Sequence, residues 1–249
     1  MKKTNAIAMG VLAVATACSL AGCADGQQGA EADSNTAQQV QASSVQQQNA
    51  ASAAADATTL DGIIDSIEKD FKATEADIAA GLDDAKAKAG GSYADYAANS
   101  DALTNWIADT QAKTEALVAR TNESAAKYYT LLAQQASTMD WGDVDDAMTA
   151  FYRAVYDDSF GDFYRAVYTD DYKDVYRTFY DGVMKEAYDV VSYAEASDAQ
   201  SNLYREISDA QSDLYRSISD AQSDLYRTYS DVYGEFYDKN YDLSKVLGK

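Results

Sequence analysis

The sequence predicts an all-α protein, either a bundle of long helices or a coiled coil, and three observations carry that prediction. The 249 residues contain no proline, so nothing in the chain removes a helical N–H or forces a kink. From Leu60 onward, apolar residues recur three and four apart, the period of one helix face. Between Ser197 and Tyr229 one eleven-residue unit is written three times, as SDAQSNLYREI, SDAQSDLYRSI and SDAQSDLYRTY.

Residues 1–22 read as a targeting segment. Lys2 and Lys3 supply a positive end, Ala6 to Leu20 is mostly apolar, and Leu20-Ala21-Gly22-Cys23 closes it. The apolar run is shorter than the ~20 residues needed to span a bilayer. This segment resembles the signal and lipobox of bacterial lipoprotein precursors. The resemblance implies cleavage before Cys23, lipidation of Cys23 and a mature chain held on the extracytoplasmic side of a cell membrane. Cys18 lies inside the signal, so no disulfide is expected to staple the mature fold.

Cleavage removes two lysines, leaving 18 basic against 41 acidic side chains and a charge of -23. Such a chain repels nucleic acid and anionic surfaces, so no nucleic-acid partner is expected. Residues 23–59 are rich in Ala, Gln, Ser, Asn and Gly with little to bury, and read as a flexible tether behind the lipid.

Residues 60–142 read as an antiparallel helix pair. Leu60, Ile63, Ile64, Ile67, Phe71, Ile78, Leu82 and Ala85 share one face, and Gly90-Gly91 ends it. Ser92 or Ser100 is placed to cap the next helix, which carries Leu103, Trp106, Ile107, Leu117, Val118, Ala125, Tyr128, Tyr129 and Leu132. Asp140, Asp143, Asp145 and Asp146 then cluster beside Gly142. Their oxygens suit calcium, but the spacing is not that of a helix-loop-helix calcium site, and a helix start favoured by the dipole explains them more simply.

Residues 143–249 form the repeat region. Tyr-Arg recurs at Tyr152, Tyr164 and Tyr176 with a period of twelve. Twelve residues advance a straight helix by about 1200°, roughly 120° past three turns, which would scatter the aromatics around it. Either the helix breaks near Asp158 to Gly161, Asp170-Asp171 and Gly182, or the stretch is short strands, which its Tyr, Phe and Val content allows. Helix is preferred, because these units align with YREISD, YRSISD and YRTYSD further on.

Eleven residues advance about 1100°, only about 20° past three turns, so the later unit holds its face. Ala199, Leu203, Ile207, Ala210, Leu214, Ile218, Ala221, Leu225 and Tyr229 make that hendecad seam, with Tyr204, Tyr215 and Tyr226 widening one edge. Arg216 can reach Asp213 and Asp220, and Arg205 and Arg227 are placed alike, pairs giving roughly 0.2–0.5 kcal/mol each. A seam left without a partner inside the chain would drive a homo-oligomer. Residues 143–249 have room for one rod, or for a hairpin folded near Ser192 to Ser197.

No histidine is present, which removes the usual general base and zinc ligand, and there is no Gly-rich phosphate loop. No enzyme activity, cofactor or metal is therefore expected. Tyrosine is the anomalous residue: sixteen of twenty lie from Tyr152 to Tyr241. The candidate interaction face is Tyr152, Arg153, Tyr164, Arg165, Tyr168, Tyr176 and Arg177, half-buried rings being suited to helix packing and to recognition alike. A lipobox, a helical repeat and the terminal Lys249 together resemble, in architecture, the murein lipoprotein of Gram-negative envelopes. That likeness implies a cell-wall tether through Lys249, although this chain is longer and repeats in elevens rather than heptads. The sequence thus points to a structural or interaction lipoprotein with an envelope protein, a second copy or the cell wall as partner. The alternative is a ligand-binding lipoprotein with a tyrosine-lined surface.

Overall fold

Thr59 opens the first helix by accepting a hydrogen bond from the Gly62 N–H at 3.1 Å, satisfying one of the donors that a first turn leaves free. The computed structural model describes residues 57–247, with side chains through Lys239. Cys23, most of the low-complexity segment and Lys249 lie outside the described residues. Helix α1 runs Leu60–Ala89, α2 is the short Tyr93–Asn99, and α3 runs Asp101–Gln135. Ser92 caps α2 through the Asp95 N–H, whereas Ser100 makes no side-chain cap bond. Gly90 ends α1 where a Cβ would lie 2.7 Å from the Lys86 carbonyl and 2.9 Å from Thr178, so any larger residue would push the turn off the helix beside it.

Helices α1 and α3 are antiparallel. The Trp106 indole donates to the Ile78 carbonyl at 3.0 Å, Lys113 pairs with Asp77 at 2.9 Å, and the Arg120 guanidinium clasps both oxygens of Asp70 at 2.7 and 2.9 Å. Gly81 makes room for the indole, since a Cβ there would stand 3.3 Å from Trp106.

A third rod spans 141–190 and turns back at Val191-Ser192 into α8, Tyr193–Leu247. Ser192 accepts from the Glu195 N–H at 3.3 Å and starts the return helix. The repeat region is thus a hairpin. Phe71 meets Phe160 and Phe163 with ring centroids 4.9 and 5.8 Å apart, and Lys86 meets Asp174 at 2.6 Å, so the rod runs parallel to α1. Thr104 to Glu206 at 2.7 Å and Gln111 to Ser217 at 2.8 Å set α8 parallel to α3. Around the bundle the order is α1, α3, α8, third rod, and one hydrophobic core runs from Ile63 to Phe236 through all four. No strand occurs among the described residues.

The twelve-residue period has a physical answer that neither sequence option contained: the rod is neither broken nor stranded. Helix α4 (Trp141–Phe151) leads into π1 (Tyr152–Ser159), then α5 (Phe160–Phe163), π2 (Tyr164–Asp171), α6 (Tyr172–Val175), π3 (Tyr176–Val183) and α7 (Met184–Val190). A π segment closes its hydrogen bonds one residue later than an α-helix and so absorbs an extra residue. The Phe160 N–H reaches back to the Val155 carbonyl, and the Ser159 hydroxyl to the Ala154 carbonyl at 2.7 Å. With one residue absorbed per unit, twelve residues behave as eleven and return to the same face. Phe151, Phe163 and Val175 are all buried, as are Val155, Val167 and Phe179, and Met148, Phe160, Tyr172 and Met184.

Helix α8 needs no such correction. Leu203, Leu214 and Leu225 are buried, Phe236 continues the row eleven residues on, and Ile207 and Ile218 lie beside them. The hendecad seam has its partner within the chain, so its burial does not require a second copy.

Candidate recognition face

Two helices with different periods meet along the hairpin, and where they meet the tyrosines collect. On a helix, the residue after a buried one lies about 100° round from the core. Tyr152 follows Phe151, Tyr164 follows Phe163 and Tyr176 follows Val175. Across from them Tyr204, Tyr215 and Tyr226 follow Leu203, Leu214 and Leu225. Both rows therefore emerge at the outer groove between the rod and α8.

There they form rungs. Tyr152 and Tyr156 stack at 4.7 Å with Tyr226 at 6.3 Å from each. Tyr164 and Tyr168 stack at 4.6 Å, with Tyr215 at 6.2 and 5.8 Å. Tyr176 and Tyr180 stand 6.2 Å apart, with Tyr204 at 6.2 and 5.7 Å. Tyr188 with Tyr193 at 5.4 Å extends the ladder to the hairpin turn, and Trp141 with Tyr237 at 5.7 Å extends it the other way. Each step moves twelve residues along the rod and eleven back along α8. The absorbed residue keeps those unequal steps level.

The rungs end in water. Among the described residues, the large apolar or aromatic side chains left exposed are Val190 and five tyrosines, Tyr193, Tyr204, Tyr215, Tyr226 and Tyr237, spaced eleven apart. Tyr152, Tyr164 and Tyr176 are half-buried, and burial, then a neighbouring tyrosine, raises each phenol above its ordinary range. Tyr233 donates to Asp145 at 2.7 Å, and that bond first, then burial, pushes its pKa up to about 12.

The sequence-predicted site residues are brought together. Tyr152, Tyr164, Tyr168 and Tyr176 all sit in rungs, and Arg153, Arg165 and Arg177 are exposed beside them. Arg165 pairs with Asp162 at 3.1 Å; on α8 Arg216 pairs with Asp213 at 3.1 Å, Arg227 with Asp224 at 2.9 Å, and Arg205 donates to Asn202 at 2.9 Å. Sequence reasoning left out Tyr156, Tyr180, Tyr193 and Tyr237, and treated Tyr204, Tyr215 and Tyr226 as the seam's edge. The signal that could have joined the two rows is the Tyr-Arg unit already aligned across both: six of the seven arginines, Arg153, Arg165, Arg177, Arg205, Arg216 and Arg227, directly follow a ladder tyrosine, and only Arg120 does not.

Two acidic features lie elsewhere. Asp140 caps α4 through the Asp143 N–H at 3.0 Å, so the aspartate cluster starts a helix. A cleft of about 320 Å³ between α1 and the rod is lined by Glu68, Phe71, Lys72, Glu75, Asp158, Ser159 and Asp162. Burial, then Asp162, raises the Glu75 carboxyl while Lys72 lowers it. No grouping of acidic side chains among the described residues has an arrangement that would hold a metal ion.

No protein-family model, curated protein or solved structure matches the chain.

Proposed function

We propose that this protein is a lipid-anchored, extracytoplasmic helical bundle with a non-catalytic structural or protein-interaction role, and that the tyrosine ladder is its working surface. The single observation supporting this is the exposed row Tyr193, Tyr204, Tyr215, Tyr226 and Tyr237 on a bundle whose seam is already filled from within. A ring used only for packing gains by being covered. Five left open to water at one spacing favour a surface kept for a partner. No helix among the described residues is long and apolar enough to cross a membrane, and attachment is assigned to a lipid on Cys23.

Cells fed a clickable palmitate analogue test the anchor. The wild-type chain should carry label and partition into detergent, and Cys23→Ser should lose both; an unlabelled wild-type chain would sink the anchor. Replacing Tyr164, Tyr168 and Tyr176 together separates packing from recognition. Lost folding supports packing, whereas lost partner capture with folding kept supports recognition. A covalent tether through Lys249 predicts protein retained on sacculi boiled in detergent.

A further inference from the structure

The ladder is long, narrow and regular. Eleven residues of α-helix rise about 16.5 Å, so the exposed row on α8 extends over roughly 66 Å. A compact ligand would cover one rung and leave the others wet. What covers the row must itself be elongated and must present matching groups about every 16.5 Å.

Composition narrows the class of occupant. Tyrosine and arginine are enriched at protein interfaces while lysine is depleted. The chain has thirteen lysines to seven arginines, yet it places six of the arginines immediately after ladder tyrosines. Elsewhere the chain is strongly acidic, at -21 overall, so two copies would repel along most of their surfaces. Along the ladder that repulsion is reduced, because exposed Arg153, Arg165, Arg177, Arg205, Arg216 and Arg227 stand among exposed Asp157, Asp162, Asp170, Asp181, Asp209, Asp213, Asp220 and Asp224, and Arg165, Arg216 and Arg227 already neutralise Asp162, Asp213 and Asp224 of their own chain.

We propose that the ladder is the two-fold interface of a parallel homodimer, each copy covering the tyrosine row of the other. The repeat in this chain is itself the period that the occupant must have. A two-fold axis running along the row sets each rung against the same rung of the second copy, with the paired rings of the rod facing the single ring of α8. Area agrees with this. At ~200 Å² per tyrosine, the exposed rings and their half-buried neighbours offer on the order of 700 Å² per copy, against ~800 Å² for a standard-sized interface. The proposal rests on the recognition reading of the ladder. Its parallel sense is the arrangement that sets the N-terminal ends of both bundles on the same side, toward the one membrane of the anchored reading.

Disulfide trapping in the full-length chain, in its own membrane, tests this together with the mass of the detergent-solubilised protein. Wild type should show twice the single-chain protein mass at micromolar concentration. Tyr204→Cys and Tyr226→Cys should each give a covalent dimer on mild oxidation, while the two variants co-expressed with distinguishable tags should give no mixed dimer. Replacing Tyr204, Tyr215 and Tyr226 with Ser should weaken dimerisation at least tenfold with the helical circular dichroism unchanged, and Tyr215→Phe should retain it. A single-chain mass for wild type overturns the homodimer, as does a monomer that binds some other protein through the ladder. A mixed Tyr204→Cys with Tyr226→Cys dimer overturns the parallel sense. Oxidative dimers of the unaltered chain through Cys23 would show that Cys23 is not acylated. That outcome removes the anchor and leaves the solubilised mass to decide the interface.

Discussion

The third rod and α8 lie side by side, carry the same Tyr-Arg unit, and differ by one residue per repeat. Helix α8 has eleven and is α-helical throughout; the rod has twelve and inserts an eight-residue π segment in each unit. The comparison teaches that a helix face is set by hydrogen-bonded turns, not by residue count. An extra residue every three turns is carried without losing the face, provided the backbone ladder widens to hold it. The structure places that widening at the start of each Tyr-Arg unit, so that it opens beneath the ladder ring.

The sharpest way to break the comparison is to delete one residue from each helix. Removing Asp213 leaves α8 with ten residues in a unit that has none to spare. The residues beyond it rotate by about 100° relative to those before, and Leu214, Ile218 and Leu225 cannot remain buried together with Leu203 and Ile207. We expect loss of more than 4 kcal/mol and of a single cooperative transition. Removing Asp157 from π1 should cost under ~2 kcal/mol, because the unit falls back to eleven residues and its neighbours keep their faces. Thermal unfolding followed by circular dichroism measures both, and equal losses would overturn the role given to the π segments.

Single core truncations come next. Phe163→Ala in the rod and Leu214→Ala in α8 each remove a fully buried side chain, and each should cost roughly 3–5 kcal/mol in urea titration. Similar values would show that the π-containing rod packs as firmly as the regular helix. Between α1 and α3, Asp70→Ala leaves the partly buried Arg120 guanidinium without its two-oxygen partner and should cost about 2–3 kcal/mol. The double replacement Asp70→Ala with Arg120→Met should recover part of that loss.

What was legible in the sequence was local. The α1 face, the stop at Gly90-Gly91, the Ser92 cap and the seam from Leu203 to Leu225 follow from spacings within one helix. The candidate face was half legible, since Tyr152, Tyr164, Tyr168 and Tyr176 stand out by their own period. Their rung partners did not, because pairing Tyr164 with Tyr215 requires knowing that the chain reverses at Val191-Ser192. The π segments were hidden for a related reason. A period of twelve can be a broken helix, a set of strands or a widened helix, and the facing period of eleven selects among them. Asp70 and Arg120 are fifty residues apart in the chain, and no spacing rule joins them.

The smallest expected effect sharpens the comparison from the other side of the rod. Asp171 closes π2, and burial, followed by Asp170, Asp174, Asp83 and Glu75, pushes its pKa up to about 6. A carboxyl at about 6 when folded and near its ordinary ~3.9 when unfolded binds more protons in the folded state between those values. Lowering the pH from 7 to 4 therefore favours folding at this site, and the contribution is lost again as pH rises through 6. Because the group is partly exposed, the penalty at pH 7 is about 1 kcal/mol after solvent screening. Asp171→Asn should raise the melting temperature at pH 7 by roughly 2–4 °C and change it little at pH 4, where the wild-type carboxyl is already protonated. An equal gain at both values would mean that the substitution acts through packing, leaving the acidic side of the rod without an electrostatic cost for its extra residue.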